Sequence, residues 1–538
     1  MRSICLPSLA IAVVALAACG SNSTTSTESS ATTRGTLVEN PPFRIASLNA
    51  ADFQAQLGAN SSGAQLLQLT GAPTCGVDFY YLKFWTVGGA GESTESSGAL
   101  MVPTGSAAGC SGPRPLLLYA HATEFNKLLN IADITNPANS EGALLAAMFA
   151  AQGYIVVAPN DAGYDISTLG YHPYLDATQQ SEEMMDILAA ARAALPHTFA
   201  AATQDSGKLL VAGYSEGGHV AVATVKALEA AGQAVTAASG GSGPYALEAF
   251  GDAIMFGNVI VGSTAFTPLL TTSYQHEYGN LYSSTSDFYT PTYASGIDTL
   301  LPSTASLTTL FTEGKLPQTA LFDIMTPTVT VPGNPGLSAA LTMALAPPAP
   351  LSSPEAPIFD LGFGNPFLIN DSVRVSYALD AASDPDGEDT PLTGMAASPA
   401  LAPAVPSYPL RKAFYLNDMR SWYGATVPGA PLLMCGGEND PTVFFPVNTG
   451  TMAAYWSAVP TVSMLDVDPA GGPSGPYAAI QAAFQMSQAQ ELAYLQTAPG
   501  GGLSATAAET QLVEGYHGAV DPFCALAARA FFTQVLGG

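Results

Sequence analysis

Leu209-Leu210-Val211-Ala212-Gly213-Tyr214-Ser215-Glu216-Gly217-Gly218-His219-Val220 is the stretch that decides the fold. Its first four residues form an apolar run of strand character, and from Glu216 onward Val220, Val222, Val225 and Leu228 recur at helical spacing. Between strand and helix lies Gly-x-Ser-x-Gly, Gly213 to Gly217. Alone, that pentapeptide says little in a chain with 52 glycines, and its bland reading is a structural turn with an idle serine. Joining a buried strand to an amphipathic helix, it predicts a sharp elbow whose glycines allow close backbone approach and whose serine hydroxyl is presented at the tip. Ser215 is therefore the candidate nucleophile.

The neighbouring sequence supplies the sheet this elbow needs. Upstream, Phe79 to Thr86, Gly98 to Pro103 and Pro115 to Ala120 read as strands separated by Gly/Ser turns, an antiparallel entry into a sheet. Alternation follows: a helix over Gly142 to Gln152, a strand over Tyr154 to Ala158, a helix over Gln180 to Ala194, then the strand and helix of the elbow itself. Strands that are continuous apolar runs, alternating with helices, predict a mostly parallel sheet covered on both faces. The alternation fails between Pro244 and Val427, a segment rich in Pro, Thr, Ser and Gly with short helical patterns such as Ser303 to Thr312. So long a stretch is better read as an inserted lid or cap than as one loop. It resumes with strands Pro431 to Cys435 and Thr461 to Val467, helices across Pro476 to Gln496 and a last helix over Pro522 to Leu536. The expected layout is one catalytic domain, 37–245 and 428–538, interrupted by an insertion at 246–427.

A serine hydroxyl needs a base, and the base needs a carboxylate to orient it. The chain has six histidines. His219 follows the nucleophile on its own helix and faces away from the attack; His172, His197 and His276 lie before the later half of the sheet; His121 follows an early strand. His517, in Glu514-Gly515-Tyr516-His517-Gly518, lies after the last strand and is expected in a glycine-flanked loop before the terminal helix, where the order Ser, acid, His places the base. The acid is expected just past the Pro431 to Cys435 strand, in Gly436-Gly437-Glu438-Asn439-Asp440, with Asp440 preferred over Glu438. Asp466 and Asp468 belong to the next strand and read as structural. Donors for a developing oxyanion are expected from the Glu216 amide and from Thr123 or Ala122 after the Pro115 to Ala120 strand.

These separated pieces resemble the secretory-lipase-like branch of the α/β-hydrolases, exported bacterial lipases and esterases. The resemblance rests on Tyr119-Ala120-His121-Ala122-Thr123, Ala158-Pro159-Asn160-Asp161, Gly170-Tyr171-His172-Pro173-Tyr174, Gly213 to Gly218, Gly243-Pro244-Tyr245, Asn417-Asp418 ahead of Trp422, Gly437 to Asp440, and His517. It spans roughly Ala72 to the C-terminus. It implies the α/β-hydrolase fold, a Ser215-His517-Asp440 triad acting on a neutral carboxylic ester, an inserted lid that gates the acyl pocket, and no metal or cofactor. Ala122 stands where the usual pattern has glycine. Two other readings share the motif: a serine peptidase of the prolyl-oligopeptidase type, for whose N-terminal propeller the segment before Ala72 is too short, and a catalytically inactive hydrolase-fold binding protein.

Composition fits this reading. With 15 Lys+Arg against 42 Asp+Glu, the net charge of -27 leaves too few cations to build a nucleic-acid-binding face. The field disfavours polyanionic substrates. Arg2, the apolar run Leu9 to Leu16 and Leu16-Ala17-Ala18-Cys19 read as a signal peptide, 1–18, ending in a lipobox-like sequence, with Cys19 as the lipid attachment point and 19–36 as a Ser/Thr-rich tether. No later stretch reads as membrane-spanning, and the expected location is a membrane-anchored lipoprotein on the periplasmic or extracellular side. With Cys5 removed and Cys19 used as anchor, Cys75, Cys110, Cys435 and Cys524 remain, an even set that suggests two disulfides in an oxidising compartment. Three pairings are open, and proximity favours Cys75 with Cys110 and Cys435 with Cys524. Nothing in the sequence decides oligomeric state.

Overall fold

A computed structural model describes residues 33–136, 139–347, 356–386, 403–498 and 501–537. The signal peptide, Cys19 and most of the expected tether lie outside the described residues.

Apolar runs and hairpins combine into one nine-stranded sheet: Phe43–Leu48 (β1), Gly76–Val87 (β2), Ser93–Thr104 (β3), Gly112–Ala120 (β4), Ile155–Pro159 (β5), Thr203–Tyr214 (β6), Ala237–Gly241 (β7), Leu432–Gly436 (β8) and Val462–Asp466 (β9). Their order is β1-β2-β3-β5-β4-β6-β7-β8-β9. β1 to β3 pair antiparallel, β3 meets β5 antiparallel, and everything from β5 to β9 is parallel. β5 and β8 are buried at every position, as expected of strands covered on both faces. One face is covered by Ala177–Ala194 (α4) and Glu216–Ala230 (α5) through Ile187, Leu188, Val222 and Val225. The other is covered by Ala50–Leu57 (α1), Ser61–Thr70 (α2), Ser140–Met148 (α3) and Tyr516–Leu536 (α14) through Phe53, Leu66, Leu144, Leu145 and Phe532, while Ala478–Thr497 (α12) and Ala505–Glu514 (α13) precede α14.

Strand register gathers the site. Ala120 at the end of β4 pairs with Gly213 of β6, and Gly241 of β7 pairs with both Tyr214 and Cys435 of β8. The segments after β4, β6 and β8 therefore leave the sheet at one edge, as ligand-binding loops do in open parallel sheets.

Between β7 and β8 the chain builds a largely helical body: Leu247–Met255 (α6), Ser263–Tyr278 (α7), Pro335–Ala344 (α8), Asp371–Ser383 (α9) and Pro409–Asn417 (α10) are its longer helices. It has an apolar core of its own, with Phe250, Leu269, Tyr274, Tyr289 and Tyr377 buried together. Arg411, fully buried, ties α10 to α6 by ion pairs to Asp252 at 2.8 Å and Glu248 at 3.1 Å. Short helical patterns were expected here; a proline inside α7 and runs of Thr and Ser concealed helices that tertiary packing stabilises.

Three sequence expectations need correcting. The insertion ends near residue 417, not 427: Met419–Tyr423 (α11) already packs beneath the sheet, Met419 N–H donating to Tyr245 C=O at 2.8 Å and Tyr423 buried with the core. The folded domain begins before residue 37. Gly35 N–H donates to Trp85 C=O at 2.8 Å, and Arg34 pairs with Glu182 and Asp186, contacts between residues remote in sequence. Lastly, one helix among the described residues, Tyr516–Leu536, is long and apolar enough to cross a membrane; here it packs on the sheet with Val520, Phe523 and Phe532 buried. The four cysteines form Cys75–Cys110 and Cys435–Cys524 bridges, which suit an oxidising, exported environment.

Candidate active site

The elbow between β6 and α5 places Ser215 at φ 56°, ψ -121°, a conformation an L-residue adopts only when its surroundings impose it. The glycines are steric requirements. A Cβ on Gly213 would lie 2.0 Å from Gly217 O, one on Gly217 2.0 Å from Ala120 O, and one on Gly218 2.4 Å from Gly241 O. Strand, turn and helix are too close for any side chain at these positions.

His517 Nε2 stands 2.8 Å from Ser215 Oγ, and His517 Nδ1 stands 2.6 Å from Asp440 Oδ2. Asp440 is buried after β8, and its other oxygen accepts the Thr442 and Val443 N–H groups at 2.9 and 3.0 Å. The carboxylate therefore accepts a hydrogen bond from Nδ1–H, which leaves the Nε2 lone pair for the serine hydroxyl. His517 is not in a loop as expected; it is the second residue of α14, which begins at Tyr516 and carries Pro522 in its interior. Proline favours the first turn of a helix, so Pro522 gave a false start signal. The Tyr214 hydroxyl donates to His517 C=O, and the Cys435–Cys524 bridge ties the end of β8 to α14. Glu438 faces elsewhere, accepting from Ala470 N–H, while Asp466 accepts from Glu438 and Asp468 N–H. His219 is buried and bonded to Asn417 O at 2.7 Å.

One amide from the first loop, that of Thr123 or Ala122, was expected to face an oxyanion. Ala122 is withdrawn: its N–H donates to both Glu141 carboxylate oxygens at 3.1 Å. Thr123 remains, its hydroxyl donating to Tyr174 OH at 3.2 Å. Glu216 N–H belongs to the first turn of α5, where no intrahelical acceptor exists.

Ser215 and Glu216 open onto a cavity that runs into the inserted body. Its walls are apolar: Leu247, Phe250, Ile254 and Met255 along one face of α6, Phe266 and Leu270 on α7, and Phe414 on α10.

Sequence reading missed a buried polar group behind the elbow. The Glu216 carboxylate is turned away from solvent, accepting from His172 Nε2 at 2.7 Å and Gln180 Nε2 at 2.6 Å. His172 Nδ1 donates to Ala162 O at 2.9 Å. His121 Nε2 lies 3.3 Å from Asp161, a residue held at φ 67°, and His121 Nδ1 donates to Ala122 O at 2.6 Å. Burial alone would lower both imidazoles, but the facing carboxylates outweigh it: Asp161 and Glu141 raise His121 to about 9, and Glu216 and Asp161 raise His172. Burial would raise Glu216, yet the His172 imidazolium holds it below the usual carboxylate range. Asp161 and His172 sat within motifs already singled out, but only folding brings them to Glu216. Asp161, His172 and Glu216 offer three ligand atoms within 4.8 Å of one another, the one such group among the described residues. The 2.7 Å contact between His172 and Glu216 is a proton-bearing hydrogen bond, so the imidazoliums themselves balance the carboxylates and the donor set does not call for a metal ion.

A parallel sheet with this strand order, a serine at the elbow after its central strand and a large body inserted after β7 define the α/β-hydrolase fold, and the chain has that fold. The rice cell wall degrading esterase LipA from Xanthomonas oryzae matches it at TM-score 0.62 and 22% identity, covering 93% of this chain and 99% of that one. A ligand-bound form of the same esterase matches at TM-score 0.62 and 22% identity, covering 93% and 98%. A Legionella pneumophila protein assigned only as a hydrolase matches at TM-score 0.55 and 17% identity, covering 93% and 98%. No protein-family model and no curated protein matches the chain.

Proposed function

We propose that this protein is a serine carboxylic-ester hydrolase, exported and held at a membrane by a lipid on Cys19, whose substrates carry an apolar acyl chain. The observation that carries the reading is His517, bridging Asp440 at 2.6 Å and Ser215 at 2.8 Å at the mouth of an apolar cavity. Ser215 attacks the ester carbonyl as His517 takes its proton; Asp440 holds the imidazole in the required tautomer and stabilises its charge. The Glu216 and Thr123 amides receive the oxyanion, His517 returns the proton to the departing alcohol, and water repeats the cycle on the acyl-Ser215 intermediate. The nine-residue α6 lies along the cavity for about 12 Å at 1.5 Å per residue, a length suited to an acyl chain of about eight to ten carbons. The likeness to an esterase of known structure supports the same reaction class, and the two disulfides support an address outside the cytoplasm.

The test is hydrolysis of p-nitrophenyl esters from acetate to palmitate by the full-length protein in detergent, beside Ser215→Ala. Turnover that disappears in the variant supports the reading. A wild type inert on every ester, yet labelled at Ser215 by a phosphonate, overturns it and favours another acyl substrate such as a peptide.

A further inference from the structure

The second oxyanion donor raises a physical question. Thr123 sits in an irregular segment between β4 and α3, and a loop amide aims a hydrogen bond reliably only if its peptide plane is held. The N–H of Thr123 and the C=O of Ala122 belong to the same trans peptide group, so they point in opposite directions across one rigid plane. That C=O is grasped by His121 Nδ1 at 2.6 Å. Fixing the carbonyl fixes the amide. On the other side of the same ring, Nε2 lies 3.3 Å from the Asp161 carboxylate, a charge contact without hydrogen-bond geometry, so the imidazole is bonded through Nδ1 and drawn electrostatically through Nε2. His121 is 2 % exposed, its ring turned to the Ala122 carbonyl and to Asp161.

Asp161 stands beside His172, which links Ala162 to the Glu216 carboxylate, and Gln180 of α4 clamps that carboxylate from another side. The two amides that must converge on one oxygen atom thus arise from segments joined by a continuous chain of buried charged groups. We propose, on the ester-hydrolase reading above, that His121 is a positioning residue that aims the Thr123 amide through the Ala122 carbonyl, and that Asp161, His172 and Glu216 lock this aim to the nucleophile elbow. The Glu216 residue serves twice: its backbone faces the oxyanion while its side chain anchors the frame.

The test measures the second-order rate of phosphonylation of Ser215 in the full-length protein, because that reaction builds charge in the oxyanion hole whatever the natural substrate is. The variants are His121→Phe, which keeps a ring and removes both nitrogens, and Asp161→Asn, which keeps shape and removes the charge holding that ring. The expected result is a fall of about 10- to 100-fold in phosphonylation rate for His121→Phe and a smaller fall for Asp161→Asn. On whichever ester the wild type turns over, kcat per phosphonate-titrated site falls by a like factor while KM stays within about twofold. A purely structural role would lower the titratable fraction and the melting temperature while leaving each surviving site at full rate; that outcome overturns the proposal. If His121→Phe fails to fold, Asp161→Asn decides by the same criterion. A wild type that is phosphonylated but hydrolyses no ester defeats the ester reading alone, since the variants' phosphonylation rates still decide whether His121 positions the hole.

Discussion

Replacing Asp440 by asparagine tests the triad with almost no change of shape, and the structure dictates how the new amide must sit. One Asp440 oxygen accepts two backbone N–H groups, from Thr442 at 2.9 Å and Val443 at 3.0 Å. An asparagine keeps both bonds only with its carbonyl oxygen at that position, so its NH2 group faces His517 Nδ1. A donor there makes Nδ1 an acceptor and moves the ring proton to Nε2, where it faces Ser215 Oγ. The imidazole is then in the tautomer that cannot accept the serine proton. Loss of the correct tautomer costs serine hydrolases about 10⁴ in kcat, or about 5.5 kcal/mol of transition-state stabilisation. The assay is steady-state hydrolysis of the best p-nitrophenyl ester by wild type and Asp440→Asn. The expected result is a kcat lower by three to four orders of magnitude, by the same tautomer argument, with a melting temperature close to wild type. Activity within about tenfold of wild type would refute the assignment of Asp440 as the orienting acid, because the wrong tautomer cannot be that harmless.

Other expectations follow from packing and charge. Ile254→Trp fills the cavity along α6 and should cut activity on decanoate by at least about tenfold while acetate stays within about twofold, read from the chain-length profile. Removing the Cys435–Cys524 bridge by double substitution to serine releases a cross-link spanning 89 residues and should cost about 3–4 kcal/mol, measured by denaturant unfolding of the oxidised proteins. Asp176 caps α4, and burial together with the facing Glu277 carboxylate pushes its carboxyl up to about 7. The native state therefore favours the protonated acid: this contribution to stability is full below about pH 4, falls as pH rises toward 7 and is flat beyond. Asp176→Asn keeps the cap oxygen and has no proton to lose, so its melting temperature should exceed wild type at pH 8, with the difference vanishing near pH 4.

Much of the molecule is written in local sequence because its signals are local. An apolar run that reaches Gly213, a serine flanked by glycines and a helix with valines at helical spacing require only neighbouring residues to be understood. The backbone clearances of 2.0 Å at Gly213 and Gly217 are the physical form of that motif. Chain order fixed the expectation for Asp440 and His517, since each must follow its own strand. The alternation of strands and helices fixed the parallel sheet.

What the tertiary structure alone decided involves partners remote in sequence. The start of α14 at Tyr516 went unread because Pro522 is a strong local signal, overruled by packing of the helix on the sheet and by the Cys435–Cys524 bridge. The end of the insertion near residue 417 depends on Met419 reaching Tyr245, and the start of the domain before residue 37 on Arg34 reaching Glu182 and Asp186. The commitment of the Ala122 amide to Glu141, and the buried frame of His121, Asp161, His172 and Glu216, are likewise invisible in one dimension. A histidine or carboxylate reads alike in sequence whether solvated or buried; only the fold removes the water and supplies the opposite charge that makes it useful.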